Sequence, residues 1–140
     1  MATITASIRL SSSDMMDNAV SITNTATLTK AGNDTGLSET TGLARKKTSS
    51  GSNTILLDTN DTTGSDITAS KAAKVYIKNI NPRDDGTKYV TILLEDTEIG
   101  RLYGGDWMFM PWDATSAGKD IEFTASDTTE TTIEYICFFE

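Results

Sequence analysis

The sequence predicts an all-β fold: an antiparallel β-sandwich, jelly-roll-like, with about eight strands joined by long polar loops. Three observations point there. Apolar residues alternate with polar ones at period two along most of the apolar segments. Threonine and serine are used heavily while proline occurs only twice, and β-branched threonine fits the wet face of a pleated strand better than a helix. Clusters of glycine, asparagine and aspartate punctuate these segments at near-regular spacing, as in a sandwich, jelly roll or barrel.

Taken in order, Ile4, Ala6, Ile8 and Leu10 alternate with Thr3, Thr5, Ser7 and Arg9, which makes a strand with one buried face. After a polar turn around Ser11 to Asp17, Val20, Ile22, Ala26 and Leu28 alternate with serine and threonine, interrupted only by Asn24. Residues 31–53 show little apolar periodicity beyond Leu37 and Leu43 and are expected to form a long flexible loop, of a length that is usually functional or disordered. Ile55 to Leu57 form a short strand. A polar stretch, DTNDTTGSD, follows, and Ala69 to Ala73 fit one helical turn. Alternation resumes with Val75 and Ile77 through Ile80. Asn81-Pro82-Arg83-Asp84-Asp85-Gly86 is turn chemistry, so residues 74–94 read as a hairpin.

The remaining strands are Tyr89 to Leu94, Ile99 to Tyr103, Trp107 to Trp112, Ile121 to Ala125 and Ile133 to Phe139. Gly104-Gly105, Ser116-Ala117-Gly118 and Asp127-Thr128-Thr129 separate them. No long helix and no internal repeat is present. The whole of 1–140 is expected to be a single β domain, with its core concentrated in 72–140, because 140 residues suffice for one core without disulfides or metal.

Composition excludes several partners. The formal charge of −8 repels polyphosphate and gives no electrostatic footprint for nucleic acid or an anionic membrane. No run of about 18 apolar residues offers a membrane span, and MATITASIRL lacks the basic start and apolar block of a signal peptide, so synthesis in a cytosol is expected. Cys137 is the single cysteine. Between Ile136 and Phe138 it reads as a small buried hydrophobe without chemistry.

Catalytic motifs are missing. Histidine is absent, which removes the commonest general base and zinc ligand, and one cysteine assembles no Cys/His metal set. No GxSxG, Walker A or GxGxxG segment occurs; Gly32, Gly36 and Gly42 are loop glycines. Paired carboxylates drawn from Asp106, Asp113, Glu95 and Glu98 are the one hydrolytic option, and solvated residues beside turns are the better reading. Asp58, Asn60, Asp61 and Asp66 have the composition of a calcium loop, but Gly64 is one place late and Ala69 stands where a bidentate glutamate belongs. Arg45-Lys46-Lys47 is the only basic cluster and reads as a flexible solvated tip, able to clamp an acidic neighbour. The chain is therefore expected to be no enzyme and to need no cofactor or metal.

Two strands break the alternation expected of a sandwich with one wet face. Trp107-Met108-Phe109-Met110-Pro111-Trp112 and Tyr135 to Phe139 are apolar on both sides, so something must cover both. Either these strands are central or lie under a loop such as 31–53, or they meet another subunit. A small domain has one core, which favours the subunit interface. The residues assigned to it are Tyr103, Trp107, Met108, Phe109, Met110, Trp112, Tyr135, Phe138 and Phe139, within 103–112 and 133–139. Pro111 donates no ladder hydrogen bond and marks an edge or a bulge there.

Three segments carry a family likeness: the xVYIKN strand at Val75 to Asn79, the L-x-x-G-D-W…P-W segment from Leu102 to Trp112, and T-x-x-E-Y at Thr131 to Tyr135. Over residues 72–140 the chain resembles small virion structural proteins of tailed bacteriophages; residues 1–71 carry no such signature. The resemblance implies a sandwich or jelly-roll protein of the head or tail, in the first place a capsid decoration or cement protein on the outer shell. It implies a homo-oligomer, commonly a trimer, whose partners are itself and the major capsid protein or another virion protein. Localisation would be the virion, on the outside of the head rather than the tail, after synthesis in host cytoplasm. The alternative is a tail, collar or fibre component, in which Tyr103, Trp107 or Trp112 stack on sugar rings. A carbohydrate-binding module unrelated to any virus is a third class.

Overall fold

The computed structural model of the chain describes residues 3–14, 19–29, 37, 39–48, 52–59, 72–83, 88–114, 118–126 and 130–139. Its regular structure is all β, with no helix among the described residues. By its contacts the chain forms two compact units, Met1–Ser38 and Glu39–Phe139, where the sequence reading takes 1–140 as one domain.

The first unit holds a hairpin. β1 (Ile4–Ser12) pairs antiparallel with β2 (Val20–Leu28), in a register that runs from Ile4 opposite Leu28 to Ser12 opposite Val20. Side chains alternate across a strand, so one face of the ribbon carries Ile4, Ala6, Ile8, Leu10 and Ser12 against Leu28, Ala26, Asn24, Ile22 and Val20. The other carries only Thr, Ser and Arg9, with the Ser7 and Thr25 hydroxyls 3.1 Å apart. The two alternating segments of the sequence thus become one amphipathic ribbon.

The second unit contains β3 (Glu39–Thr40), β4 (Ala44–Thr48), β5 (Thr54–Leu57), β6 (Ala72–Asn79), β7 (Tyr89–Leu94), β8 (Thr97–Tyr103), β9 (Trp107–Asp113), β10 (Ile121–Ala125) and β11 (Thr131–Phe139). One sheet has the order β5-β10-β7-β8; the other has β3-β11-β6-β9, with β4 also pairing β11. β3 and β4 occupy one edge of β11, at Phe138–Phe139 and at Thr131–Tyr135, with Gly42 left-handed between them (φ 72°). The pairing is nested: β4 with β11, β5 with β10, β6 with β9 and β7 with β8, all antiparallel. The core lies between the sheets. Val75, Ile77, Cys137, Ile133 and Phe139 come from one sheet and Val90, Ile92, Ile121, Phe123 and Leu57 from the other. Each large side chain so enclosed contributes about 1.5–3 kcal/mol of transfer free energy.

The all-β sandwich is as the sequence predicts, with four local corrections. Residues 74–94 are not a hairpin: β6 and β7 lie in different sheets, because the 80–83 segment turns the chain across the sandwich. Within the supposed flexible loop 31–53, residues 39–40 and 44–48 are strands held on β11. Arg45-Lys46-Lys47 is accordingly part of β4 and no flexible tip. Arg45 bonds Glu134 (3.0 and 3.1 Å), Lys47 pairs with Glu130 (2.6 Å) and Lys46 Nζ donates to the Ile55 carbonyl. Of the expected helical turn, Ala72 and Ala73 open β6; residues 69–71 lie outside the described residues.

Two turns shape these sheets, one within a sheet and one between them. Glu95 and Asp96 join β7 to β8 and are both left-handed (φ 46° and 60°), the backbone of a two-residue type I′ hairpin, which asparagine and glycine adopt at less cost. The fold holds Glu95 there through its N–H to the Asp120 carbonyl (3.0 Å) and Asp96 through Asn53 Nδ2 to Oδ1 (3.1 Å). Between β8 and β9 the chain passes from one sheet to the other through Gly104, Gly105 and Asp106. Gly105 N–H donates to the Asn79 carbonyl and Asn79 N–H to the Asp106 carbonyl, each at 2.9 Å.

Candidate functional site

β9 resolves the conflict posed by its double apolar character, because it is an edge strand whose two faces have different fates. Pro111, opposite Lys74, lies on that edge, where a missing N–H costs little. Met108, Met110 and Trp112 point into the sandwich; Trp112 is 4% exposed, and its Nε1–H donates to the Lys119 carbonyl at 2.7 Å. Trp107, Phe109 and Pro111 point away from it, and Trp107 and Phe109 keep 50% and 38% of their surface in solvent.

The register across the second sheet assembles the rest of this face. Trp107 lies beside Lys78, Phe109 beside Tyr76, and the next strand contributes Glu134 and Ile136 opposite Lys78 and Tyr76. The Tyr76 and Trp107 rings are 6.3 Å apart between centroids, tilted by 36°. Burial raises the Tyr76 hydroxyl above its ordinary pKa, and the Glu134 carboxylate adds to that. Phe138 shares the side of β11 on which Ile136 lies but is buried, at 7% exposure, and belongs to no part of the core between the sheets. The face is thus an aromatic platform edged by cationic side chains.

Of the residues assigned to an interface by sequence, only Trp107 and Phe109 are both exposed and adjacent on one face. Trp112 and Phe139 are core residues and are corrected as interface candidates; Met108, Met110 and Tyr135 are half-buried and packed against that core. Burial holds the Tyr135 hydroxyl above its ordinary pKa. Tyr103 stands on the other sheet, against Tyr89 with the rings tilted by 60° (5.5 Å between centroids), and the Arg101 guanidinium lies 4.6 Å over the Tyr89 ring. β11 is central rather than exposed, which is how its own double apolar character is met. Tyr76 and Lys78 escaped notice because their strand reads as ordinary alternation; only the pairing of β6 with β9 puts them beside Trp107 and Phe109, and that of β11 with β6 adds Ile136 beside Tyr76.

The carboxylates considered for hydrolysis are dispersed and engaged. Asp106 pairs with Arg83 and accepts the Tyr103 N–H (3.0 Å), Asp113 pairs with Lys119, and Glu98 with Arg101 (2.9 Å). Of the calcium-like stretch, Asp58 is buried, whereas residues 60, 61 and 66 lie outside the described residues. Thr59 gives its N–H and hydroxyl to Asp120 Oδ1 (2.8 and 2.7 Å). Among the described residues no group of three or more His, Cys, Asp or Glu side chains could hold a metal ion. No helix among them is long and apolar enough to cross a membrane.

Carboxylates do crowd at the start of β10. Burial pushes the Glu122 carboxyl above the ordinary carboxylate value; the Asp96 N–H donated to Oε2 (3.2 Å) opposes this, and the charges of Asp96, Asp120 and Glu95 add to it. A carboxyl raised in the fold is a penalty that is absent below its unfolded pKa of about 4.3 and grows as pH rises through the folded value. Glu122→Gln is therefore expected to raise stability slightly at pH 7, with the gain vanishing below about pH 4. Urea titrations at the two pH values measure it.

No known protein family, curated protein or solved structure matches this chain. What the fold and its exposed face define is a class: a two-layer antiparallel β-sandwich with an exposed aromatic patch on one edge strand, preceded by an amphipathic hairpin.

Proposed function

We propose that the chain is a non-enzymatic virion structural protein of the capsid decoration or cement type, which binds the outer shell and stabilises it by bridging subunits. The observation that carries this reading is the pair Trp107 and Phe109, half-exposed on a strand whose opposite side chains, Met108, Met110 and Trp112, pack into or against the core. Exposed aromatics on a rigid element are the residues that dominate docking energy when covered, and leaving them in water forfeits several kcal/mol of burial. The nested strand order, β4-β11-β6-β9 over β5-β10-β7-β8, we read as a jelly roll, an architecture of viral capsid and lectin domains. Fold likeness alone does not assign function; the motif likeness over 72–140 supplies the virion.

The mechanism in this reading is mechanical. Each copy bridges neighbouring shell subunits, and the area buried over many contacts raises the barrier to rupture. Trp107→Ala with Phe109→Ser removes the anchor without touching the core, so the variant is expected to fold normally and to sediment with undecorated capsids at least about tenfold more weakly. Particles decorated with it should lose the added heat tolerance. Unchanged capsid binding would overturn the proposal.

A second reading is favoured by the same platform. The faces of Trp107 and Tyr76 suit a sugar ring, as in a tail, collar or fibre knob. Copy number separates the two: hundreds of copies per particle mean decoration, a dozen or fewer a tail component.

A further inference from the structure

The β1–β2 ribbon has one wholly polar face and one face that is apolar but for Asn24 and, in the row that ends the ribbon, Ser12, and the middle of the apolar face is in water: Ile8, Leu10 and Ile22 are 39%, 51% and 45% exposed. A two-stranded ribbon is at best marginally stable without something against its apolar side. Ser12 sits at the ribbon's end beside Val20, whereas Asn24 is exposed and paired with Ile8 at the fifth of the nine positions in the register, the midpoint of the ribbon.

Asn24 discriminates between occupants. An apolar partner surface would desolvate its amide and leave donor and acceptor unpaired. A second Asn24 supplies both an acceptor and donors in the matching arrangement, which is how a lone asparagine in an apolar seam fixes register between identical chains. Side-chain volume selects the same geometry. With a twofold axis running across the strands through Asn24, Asn24 meets Asn24, the Ala6 and Ala26 row of one copy faces the Leu10 and Ile22 row of the other, and large side chains fill the space over small ones. With the axis along the strands, Ala6 would face Ala26 across a void, Leu10 would collide with Ile22, and Asn24 would lie on Ile8.

We propose that the β1–β2 hairpin is a self-association arm, its apolar face stacked on the same face of a second copy about a twofold axis through Asn24. The product is a four-stranded, two-layer unit with Ser and Thr outward on both sides. Leu28 is already buried, so the new contact centres on the rows around Asn24. The footprint is about 30 Å by 10 Å, roughly 600 Å² over the two copies, below the size of a stable specific interface, so association shows only at high micromolar concentration and above and is reinforced when many copies share a surface. A twofold arm joins copies in pairs and therefore links neighbouring oligomers built through another face.

The test is sedimentation velocity on the full chain over a concentration series, for the wild type, Asn24→Asp, Asn24→Lys and their equimolar mixture, with near-UV circular dichroism to verify the fold. The wild type is expected to dimerise. Each single variant places like charges in contact and should raise the dimer dissociation constant at least about tenfold, whereas the mixture, in which Asp meets Lys, should recover. A wild type that stays monomeric throughout overturns the arm, as do variants that associate like the wild type or a mixture no better than its components. Loss of capsid binding by both variants with a monomeric wild type would assign the face to another virion protein instead. Because Trp107 and Phe109 are untouched, a failed arm leaves the docking proposal standing, and failed docking with intact dimers leaves the arm.

Discussion

Gly104→Ala is expected to destabilise the sandwich by about 3 kcal/mol or more, and to lower its melting temperature by ten degrees or more. A β-carbon built at Gly104 lands on the Pro82 carbonyl oxygen and lies 2.6 Å from the Pro82 carbonyl carbon and 2.8 Å from the Arg83 nitrogen. All three are backbone atoms, so no side chain can swing aside. Nor can the 81–83 segment retreat cheaply. Asn81 is tied to Asn79 and to the Thr132 carbonyl (3.1 Å), and Arg83 Nε donates to the Gly104 carbonyl (3.0 Å). The neighbouring glycine is the control. Gly105 is left-handed (φ 83°) but has open space around it, so Gly105→Ala carries only the backbone cost of about 1–2 kcal/mol. Urea denaturation of the two variants separates steric from conformational cost; equal losses would mean that the close approach to Pro82 is not what fixes the corner.

Much of the fold was legible because strand alternation needs no knowledge of partners. The positions of β1, β2 and of the strands from β7 onward follow from period-two patterning and glycine punctuation. What the pattern does not carry is pairing. Val75–Ile80 and Tyr89–Leu94 flank a turn of hairpin composition, yet the residues of that turn bond to the Gly104 corner and to β11 rather than closing a ladder. β4 was illegible for another reason: as an edge strand it has only a narrow buried side, and its sequence, Ala-Arg-Lys-Lys-Thr, spends its long side chains on Glu134, Glu130 and the Ile55 carbonyl.

The candidate site divides along the same line. Trp107 and Phe109 were identifiable because two aromatics on one strand face exceed what a solvated edge needs. That Trp112 is core while Trp107 is not depends on parity within β9, which the sequence alone leaves open when both parities are apolar. The hairpin face was visible as alternation, and Asn24 as its interruption. Its meaning appears only with the register, which sets Asn24 at the centre of the face.

The residues of the VYIKN strand and of the L-x-x-G-D-W segment have a common structural reason. Asn79 ends the VYIKN strand, and Leu102, Gly105 and Asp106 belong to the L-x-x-G-D-W segment; all four meet at one corner. Asn79 is 2% exposed and lies at the centre, with Nδ2 donating to the Leu102 carbonyl (3.0 Å) and Oδ1 accepting from Asn81 N–H (3.1 Å) and Asn81 Nδ2 (2.6 Å). The partners fix the amide's orientation, since a carbonyl needs a donor and an N–H an acceptor. Asn79→Ala removes these bonds and leaves the Asn81 N–H without its acceptor, for an expected loss of about 2–4 kcal/mol.

Asn79→Asp is the sharper probe of that corner. It keeps the acceptor for Asn81 but, once ionised, offers the Leu102 carbonyl no proton and buries a charge without a cation. Its carboxyl is then raised above the unfolded value of about 3.9. The penalty is absent below that pH, where the protonated acid can donate to Leu102 much as the amide does, and grows as pH rises through the folded pKa. Unfolding midpoints for Asn79→Asp should therefore approach those of the wild type near pH 3 and fall well below them at pH 7, while the deficit of Asn79→Ala stays constant. If the aspartate variant shows a loss that does not change with pH, the hydrogen bond to Leu102 is not what holds the two sheets together at this corner.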